Sequence, residues 1–290
     1  MADFNANSLP GSVLSTGISL KLQHYPEVLD VASKGIWYEV HTENYCGIGG
    51  IRLAALQAMA ERFPLSLHGV GASLGGPEPL STQYLSWVKA LVDNIQPTLI
   101  SEHAVWSGVQ HAYFADLLPF PRTRAALQQL ADGVHQYQEA IGRAILLENP
   151  THYVGLQHEM HEADFMVELT QRTGCGLLLD ITNLYLSQTN CGVDAKQYLD
   201  QIPAHLVGEL HVAGFSADPV EGNRLLIDSH DHAPQEDILN LLDYALQRFG
   251  PRPVLLEWDD RIPALDDLLN ERERLHAVLR PYLEIADAAG

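Results

Sequence analysis

Eight short apolar runs recur along the chain, at residues 17–20, 36–41, 65–69, 99–103, 144–148, 176–180, 207–212 and 254–257. Segments with the period of an amphipathic helix separate most of them, at 51–62, 82–94, 122–141, 162–173, 235–249 and 264–279, with 194–201 a shorter candidate. Ile51, Leu53, Leu56 and Met59 mark one face of the first helix, and Trp87 stands at a core position of the second. Ser81 in front of one helix and Gly174 behind another are entry and exit signals. Eight strands alternating with helices over about 240 residues is the arithmetic of a (β/α)8 barrel, which takes about 250 residues in one domain. The runs are nearly continuous in apolar residues, as parallel strands covered on both faces require. An open doubly wound sheet is the rival, but no G-x-G-x-x-G follows an early strand. The expectation is a single-domain α/β TIM-type barrel over 17–290, preceded by an unstructured or capping arm at 1–16.

What terminates each run is more specific. The second ends Glu39-Val40-His41, with Glu43 and Asn44 following. The third ends at His68, the fourth at Glu102-His103 and the fifth at Glu148-Asn149. The sixth ends at Asp180, with Asn183 three residues on. The seventh carries Glu209 and His211, and Asp228, His230, Asp231 and His232 come after it. The eighth ends at Glu257, before Asp259 and Asp260. In this barrel the C-terminal strand ends share one face, where active sites are built. Seven of the eight runs thus deliver carboxylate or imidazole to one rim. Converging carboxylates repel one another and resist desolvation. Lys21 is the one basic residue at a run's end, so bound metal cations are the natural compensation.

Mixed His and carboxylate ligands suit iron, manganese or zinc, and the rim carries no thiolate. The candidates exceed what one ion of four to six coordination can use, so two or three ions are implied. Trp106 and Trp258 follow strand ends and are assigned to the pocket wall. The loop Gly69-Val70-Gly71-Ala72-Ser73-Leu74-Gly75-Gly76 either cradles an anion or turns tightly to admit a substrate. His158-Glu159-Met160-His161 is one residue short of the H-E-x-x-H signature and reads as a solvated helix N-terminus. His24, His111, His135, His152, His205 and His276 lie away from strand ends and read as surface or satisfied residues.

Composition excludes several partners. With 17 Lys and Arg against 37 Asp and Glu, the formal charge is −20, and no basic cluster offsets it. Nucleic acid and anionic membrane surfaces are therefore disfavoured. No apolar run reaches the roughly 18 residues of a membrane span, and residues 1–19 lack the pattern of a secretory signal. Cys46, Cys175 and Cys191 form no zinc-type spacing and read as packing residues. A cytoplasmic setting is expected.

Nine stretches together resemble a known family. They are G-I-S-L-K (17–21), Y-E-V-H-T-E-N-Y (38–45), S-L-H-G-V-G (66–71), S-E-H-A-V-W-S-G (101–108), L-L-E-N-P (146–150), L-L-L-D-I-T-N (177–183), G-E-L-H-V-A-G (208–214), L-I-D-S-H-D (226–231) and L-E-W-D-D (256–260). In this order they are similar to the multinuclear non-heme iron-dependent oxidative enzymes, which include those of methanobactin and 3-thiaglutamate biosynthesis. The resemblance implies a barrel holding two or three irons in mixed ferrous and ferric states. It implies dioxygen-dependent oxidation of cysteine in a ribosomally made precursor peptide, with a separate partner protein that captures the leader. Carried over by motif, His68, His103 and Glu148 would hold one iron. Glu148, Asp180, His211 and Glu257 would hold a second, and Asn183, Asp228 and His230 a third. Glu148, His103 and Asp180 would be catalytic, and His41, Glu43, Asn44, Ser73, Trp106 and Trp258 would contact substrate. Two departures stand out: Ile181-Thr182-Asn183 replaces an expected pair of consecutive asparagines, and His232 is an extra imidazole. Two other classes could use the same rim. One is a zinc, manganese or magnesium barrel of the sugar-isomerase or phosphodiesterase type, and the other is a non-catalytic metal-binding adaptor.

Overall fold

The computed structural model describes Phe4 and residues 14–31, 35–47, 49–109 and 112–289. Its strands are β1 (Thr16–Ser19), β2 (Tyr38–His41), β3 (Leu65–Gly69), β4 (Leu99–His103), β5 (Trp106–Val109), β6 (Ala112–Leu118), β7 (Leu146–Glu148), β8 (Gly176–Asp180), β9 (Val207–Ala213), β10 (Ser216–Asp218), β11 (Gly222–Ile227) and β12 (Val254–Glu257). The helices are α1 (Tyr25–Val28), α2 (Ile51–Ala60), α3 (Thr82–Ile95), α4 (Arg124–Ile141), α5 (Glu162–Thr173), α6 (Ile181–Cys191), α7 (Ala195–Gln201), α8 (Glu236–Phe249) and α9 (Leu265–Ala289). Eight parallel strands close into a barrel in the order β1-β12-β9-β8-β7-β4-β3-β2. These are the eight apolar runs, so the (β/α)8 expectation holds. The other four strands form two antiparallel hairpins, β5–β6 and β10–β11, which the sequence reading did not contain.

By its internal contacts the chain divides into two units: Met1–Phe4, Val40–Pro150 and Leu156–Leu177, and Asn5–Glu39, Thr151–Gly155 and Leu178–Gly290. In the first unit, the Oγ of Ser81 accepts from the Tyr84 N–H and starts α3, and the Oγ1 of Thr123 accepts from Ala126 and starts α4. Gly142 and Gly174 end α4 and α5 with φ of 74° and 69°, a conformation glycine adopts without a Cβ clash. Leu127, Leu130, Val134, Tyr137 and Ile141 form the buried stripe of α4. Phe4 donates its N–H to the Gly174 carbonyl and packs on Gly176, the first residue of β8. The rest of the arm lies outside the described residues, save 14–16, where β1 begins.

In the second unit, Trp37 is buried against Gly17, where an added Cβ would lie 2.5 Å from the ring. Arg272 of α9 is buried and donates to the Thr16 carbonyl and the Ser15 hydroxyl, tying α9 to the start of β1. Leu242, Ala245 and Leu246 of α8 and Leu268, Leu275 and Leu279 of α9 supply core surface.

Some local readings change. Trp87 is 43% exposed, because the buried stripe of α3 runs through Val88, Leu91, Val92 and Ile95 and leaves the ring over Gly47. Ile51 is exposed at the first residue of α2, whose buried face is Leu56 and Met59. Helix α9 runs on through Pro281 to Ala289 instead of stopping at 279. Helix α6 has no counterpart among the helical segments expected from periodicity.

Candidate metal centre

Strand register builds the cluster in the first unit. His68 pairs with Ser101 across β3–β4, and His103 pairs with Glu148 across β4–β7. All four side chains are buried. The Nε2 atoms of His68 and His103 lie 3.2 and 3.3 Å from the same oxygen, Glu148 Oε2. The opposite ring nitrogens are held: His68 Nδ1 is 2.7 Å from Ser101 Oγ, and His103 Nδ1 is 3.0 Å from the Gly69 carbonyl oxygen. A carbonyl only accepts, so His103 Nδ1 carries a hydrogen and Nε2 is the ring nitrogen turned toward Glu148; in the neutral ring it aims a lone pair there. A lone pair aimed at a carboxylate oxygen is repulsive unless a cation or proton lies between them. Two ligand atoms sharing one ion at about 2.1 Å sit about 3.0–3.4 Å apart, which is the spacing here. The donor set and its spacing therefore fit a metal ion.

Beside this cluster the glycine-rich turn does cradle anions, and they are the chain's own. Val70 and Gly71 donate their N–H groups to Glu43, and Ala72 donates to Glu102. The Tyr84 hydroxyl donates to Glu43 at 2.7 Å, with Glu102 at 3.4 Å. Burial and then the neighbouring Glu43 push the Glu102 carboxyl well above its ordinary range, against N–H donation from His103 and Ala72. Burial and the flanking carboxylates likewise raise the Tyr84 phenol, which stays a donor.

The second unit repeats the motif of one glutamate oxygen faced by two imidazoles. Glu257 Oε2 is 3.3 Å from His211 Nδ1 and 3.7 Å from His230 Nδ1. The other His211 nitrogen, Nε2, faces Glu39 at 3.4 Å and Glu209 at 3.5 Å. His230 sits between Asp228, 2.8 Å from Nε2, and Asp259, 2.9 Å from Nδ1, and Lys21 pairs with Asp259. Its φ of 47° places a non-glycine residue in the left-handed region, which costs roughly 1–2 kcal/mol and is held by the Gly214 carbonyl accepting its N–H. Asp180 ends β8 and caps α6 at once, its Oδ1 accepting from the Asn183 N–H at 2.7 Å. Thr151 joins the group by donating to Asn183 and, at 3.2 Å, to Asp228. Ligand atoms of Asp180, His230 and Glu257 lie within 4.8 Å of one another, as do those of Glu39, Glu209 and His211. Six carboxylates here face two imidazoles and one ammonium among the described residues, an imbalance that cations relieve.

Proton affinities carry the same imbalance. Burial and then Asp228 push Asp180 up to about 7, and burial and then Glu39 push Glu209 up to about 7. Burial opposes charge on His211 and His230, but Glu39 around the first and Asp228 and Glu257 around the second prevail and hold both well above 6.5. All four groups bind protons more tightly folded than unfolded. The carboxylates' contribution is complete below about pH 4 and is lost as pH rises through 7. The imidazoles' contribution is present below about 6.5 and is lost as pH rises through their higher folded values. Asp231, held at about 2 by Ser229, His232 and Ser216 against burial, changes only at lower pH. Chelator-treated protein is therefore expected to melt at a lower temperature at pH 8 than at pH 5. Melting scans at the two pH values check this, and a higher melting temperature at pH 8 would refute it.

The family model described as the RiPP precursor modification enzymes MbnB/TglH/ChrH matches residues 15–280. The chain belongs to this family. Members of the MbnB/TglH/ChrH family modify the precursors of ribosomally synthesised and post-translationally modified peptides, as the family's description states. A UPF0276 protein of Caulobacter sp. strain K31 is 47% identical over 92% of this chain and 97% of its own length. A UPF0276 protein of Chromobacterium violaceum is 42% identical over 94% of this chain and 96% of its own. Among solved structures, a xylose isomerase-like TIM barrel protein from Mycobacterium smegmatis in complex with magnesium is similar at TM-score 0.60 and 12% identity, covering 97% of this chain and 99% of that one. D-psicose 3-epimerase from Clostridium cellulolyticum H10 matches at TM-score 0.58 and 13% identity, covering 93% and 99%. These last two likenesses establish the barrel fold.

Within this MbnB/TglH/ChrH member, the nine expected ligands fall into the two clusters. His68, His103 and Glu148 are in the first unit, and Asp180, Asn183, His211, Asp228, His230 and Glu257 are in the second. The expected substrate contacts are more dispersed. His41 is half-buried with its ring 6.0 Å from that of His68, while Asn44 is exposed. Glu43 is occupied by the turn, and Ser73, at φ 55°, accepts the Ser107 N–H. Trp106 donates to the Pro119 carbonyl, and Trp258 is buried with its backbone N–H on Ser19. His158 and Glu159 accept N–H groups of Arg122 and Arg124 at the start of α4, so that motif is structural. His111 lies outside the described residues. Burial pushes the thiols of Cys46 and Cys175 up to about 12, consistent with packing roles. No helix among the described residues is long and apolar enough to cross a membrane. Glu39, Glu209 and Asp259 stood among the rim carboxylates without an assigned role, and Thr151 and Tyr84 were not among the expected site residues. Glu39 and Glu209 stand two residues before His41 and His211, and that spacing was the available signal.

Proposed function

We propose that this protein is an iron-dependent oxidase that uses dioxygen to modify cysteine in a ribosomally made precursor peptide. The observation that carries the reading is the convergence of His68 and His103 on Glu148, with His103 Nδ1 held by the Gly69 carbonyl so that Nε2 faces inward. Membership of a peptide-modifying family supplies the substrate class. His68, His103 and Glu148 would hold one iron, and Asp180, His211 and Glu257, with Asn183, Asp228 and His230, would hold one or two more. Bound iron would supply one-electron redox chemistry and the Lewis acidity that deprotonates a coordinated thiol. The chain's own residues do the rest. Ser101 and the Gly69 carbonyl orient the two imidazoles. Lys21 and Asp259 hold His230 from behind. Asp180 is fixed by the first turn of α6, whose N–H groups and dipole favour its charge. Burial of every carboxylate around His211 keeps bulk water from that imidazole. A separate leader-binding protein is part of the proposal.

Aerobic incubation of the iron-loaded enzyme and its partner with the cognate cysteine-containing precursor is expected to change the peptide's mass, and anaerobic incubation to abolish the change. Metal analysis should find two or three irons per chain. Full turnover without dioxygen would sink the oxidase reading. Zinc as the native metal would favour the isomerase or phosphodiesterase class, and tight metal binding without oxygen consumption would favour an adaptor.

A further inference from the structure

Glu43, Glu102 and Tyr84 are tied into the first unit by several hydrogen bonds each. Glu102 Oε1 accepts the backbone N–H of His103 at 3.0 Å, and its Oε2 accepts from Ala72 at 3.2 Å. Glu43 accepts from Gly71 at 2.8 Å and from Val70 at 3.2 Å. Tyr84, reaching down from α3, donates to Glu43. Two glycines make the room: a β-carbon on Gly69 would overlap Glu102 Oε2, and one on Gly71 would lie 2.9 Å from Glu43. The turn between these glycines begins at Gly69, whose carbonyl holds His103 Nδ1.

We infer that Glu43, Glu102 and Tyr84 are positioning residues for His103: they clamp the 69–72 turn from both sides, so that the Gly69 carbonyl holds the ring with Nε2 directed at Glu148. None of the three would touch the metal or the peptide. Glu102 grips both ends of the link, the His103 backbone and the turn. Glu43 fixes the turn's outer half, and Tyr84 locks Glu43 in place. The inference rests on the reading of His103 as a metal ligand. Its physical precedent is general: partners that orient a ligating imidazole typically change metal affinity by about 10–100-fold.

The test uses Tyr84→Phe and Glu43→Gln, two near-isosteric changes, with Lys89→Ala on the exposed side of α3 as control. Long-range 15N–1H spectra of the metal-free protein report the His103 tautomer, and chelator competition reports iron release. Wild type and Lys89→Ala are expected to show a single Nδ1–H tautomer. The two variants should keep the wild-type circular dichroism, show a mixed His103 tautomer and release iron about 10–100-fold faster. If Tyr84→Phe does not fold, Glu43→Gln alone decides. A pure Nδ1–H tautomer and a release rate within about twofold of wild type in the folded variants would overturn the inference. Failure of wild type to bind metal at His103 would overturn the functional reading instead, and the tautomer spectra would still decide this one.

Discussion

Glu148→Ala is expected to strip the ion from His68 and His103 and to lower peptide modification by at least about 10³-fold, beyond the 10–100-fold typical of residues that only orient a ligand. Both imidazoles meet at a single oxygen of Glu148, so its loss removes the shared vertex of the cluster. The fold should survive. Deleting a buried carboxylate removes a desolvation penalty, and neither imidazole is left facing an unpaired anion there. Glu148→Gln separates charge from volume: it keeps the shape, loses the anion, and should lose the metal as well. Iron content and the mass of the precursor peptide are the measurements. Wild-type iron and activity in both variants would show the ligand assignment to be wrong.

His211→Ala should behave differently, because it leaves carboxylates behind. Glu39, Glu209 and Glu257 all face that one imidazole, and all three are buried. Removing the partner from buried ions destabilises by about 3–5 kcal/mol. For a chain of this size that is a melting temperature lower by roughly 10 °C, in addition to the loss of metal. Adding Glu209→Gln to His211→Ala should restore part of the melting temperature and none of the metal. Equal melting temperatures for wild type and His211→Ala, both metal-free, would mean that the three glutamates are not held by this ring.

The barrel was legible because parallel strands buried on both faces leave continuous apolar runs, and β3, β4, β8 and β12 match their runs residue for residue. The residues that gather in the two clusters were legible for a related reason, since the C-terminal ends of such strands share one face. What escaped lies off those ends. Glu39 and Glu209 sit one pleat deeper than His41 and His211, on the same face of their strands, and only that two-residue spacing marks them. Thr151 follows a proline after β7 and joins the second unit's cluster through tertiary placement. Trp87 misled because aromatic character in an amphipathic pattern was read as core, whereas packing selected the neighbouring Val88–Leu91 stripe. The hairpins escaped because each is short and interrupts a strand-to-helix connection.

Helix α6 begins at Ile181, directly after Asp180 closes β8, with no loop between them. One inserted residue there would turn α6 by about 100° about its axis relative to Asp180 and break the carboxylate's cap on the Asn183 N–H. The connections after β4 and β9 are different, since each contains a hairpin that can lengthen at its tip without moving His103 or His211. Insertion tolerance around this rim is therefore uneven. Deep insertion scanning should find the β8–α6 junction fixed in length and the two hairpins free to vary, so adaptation to new peptides would proceed by lengthening hairpins while the β8–α6 junction keeps its length.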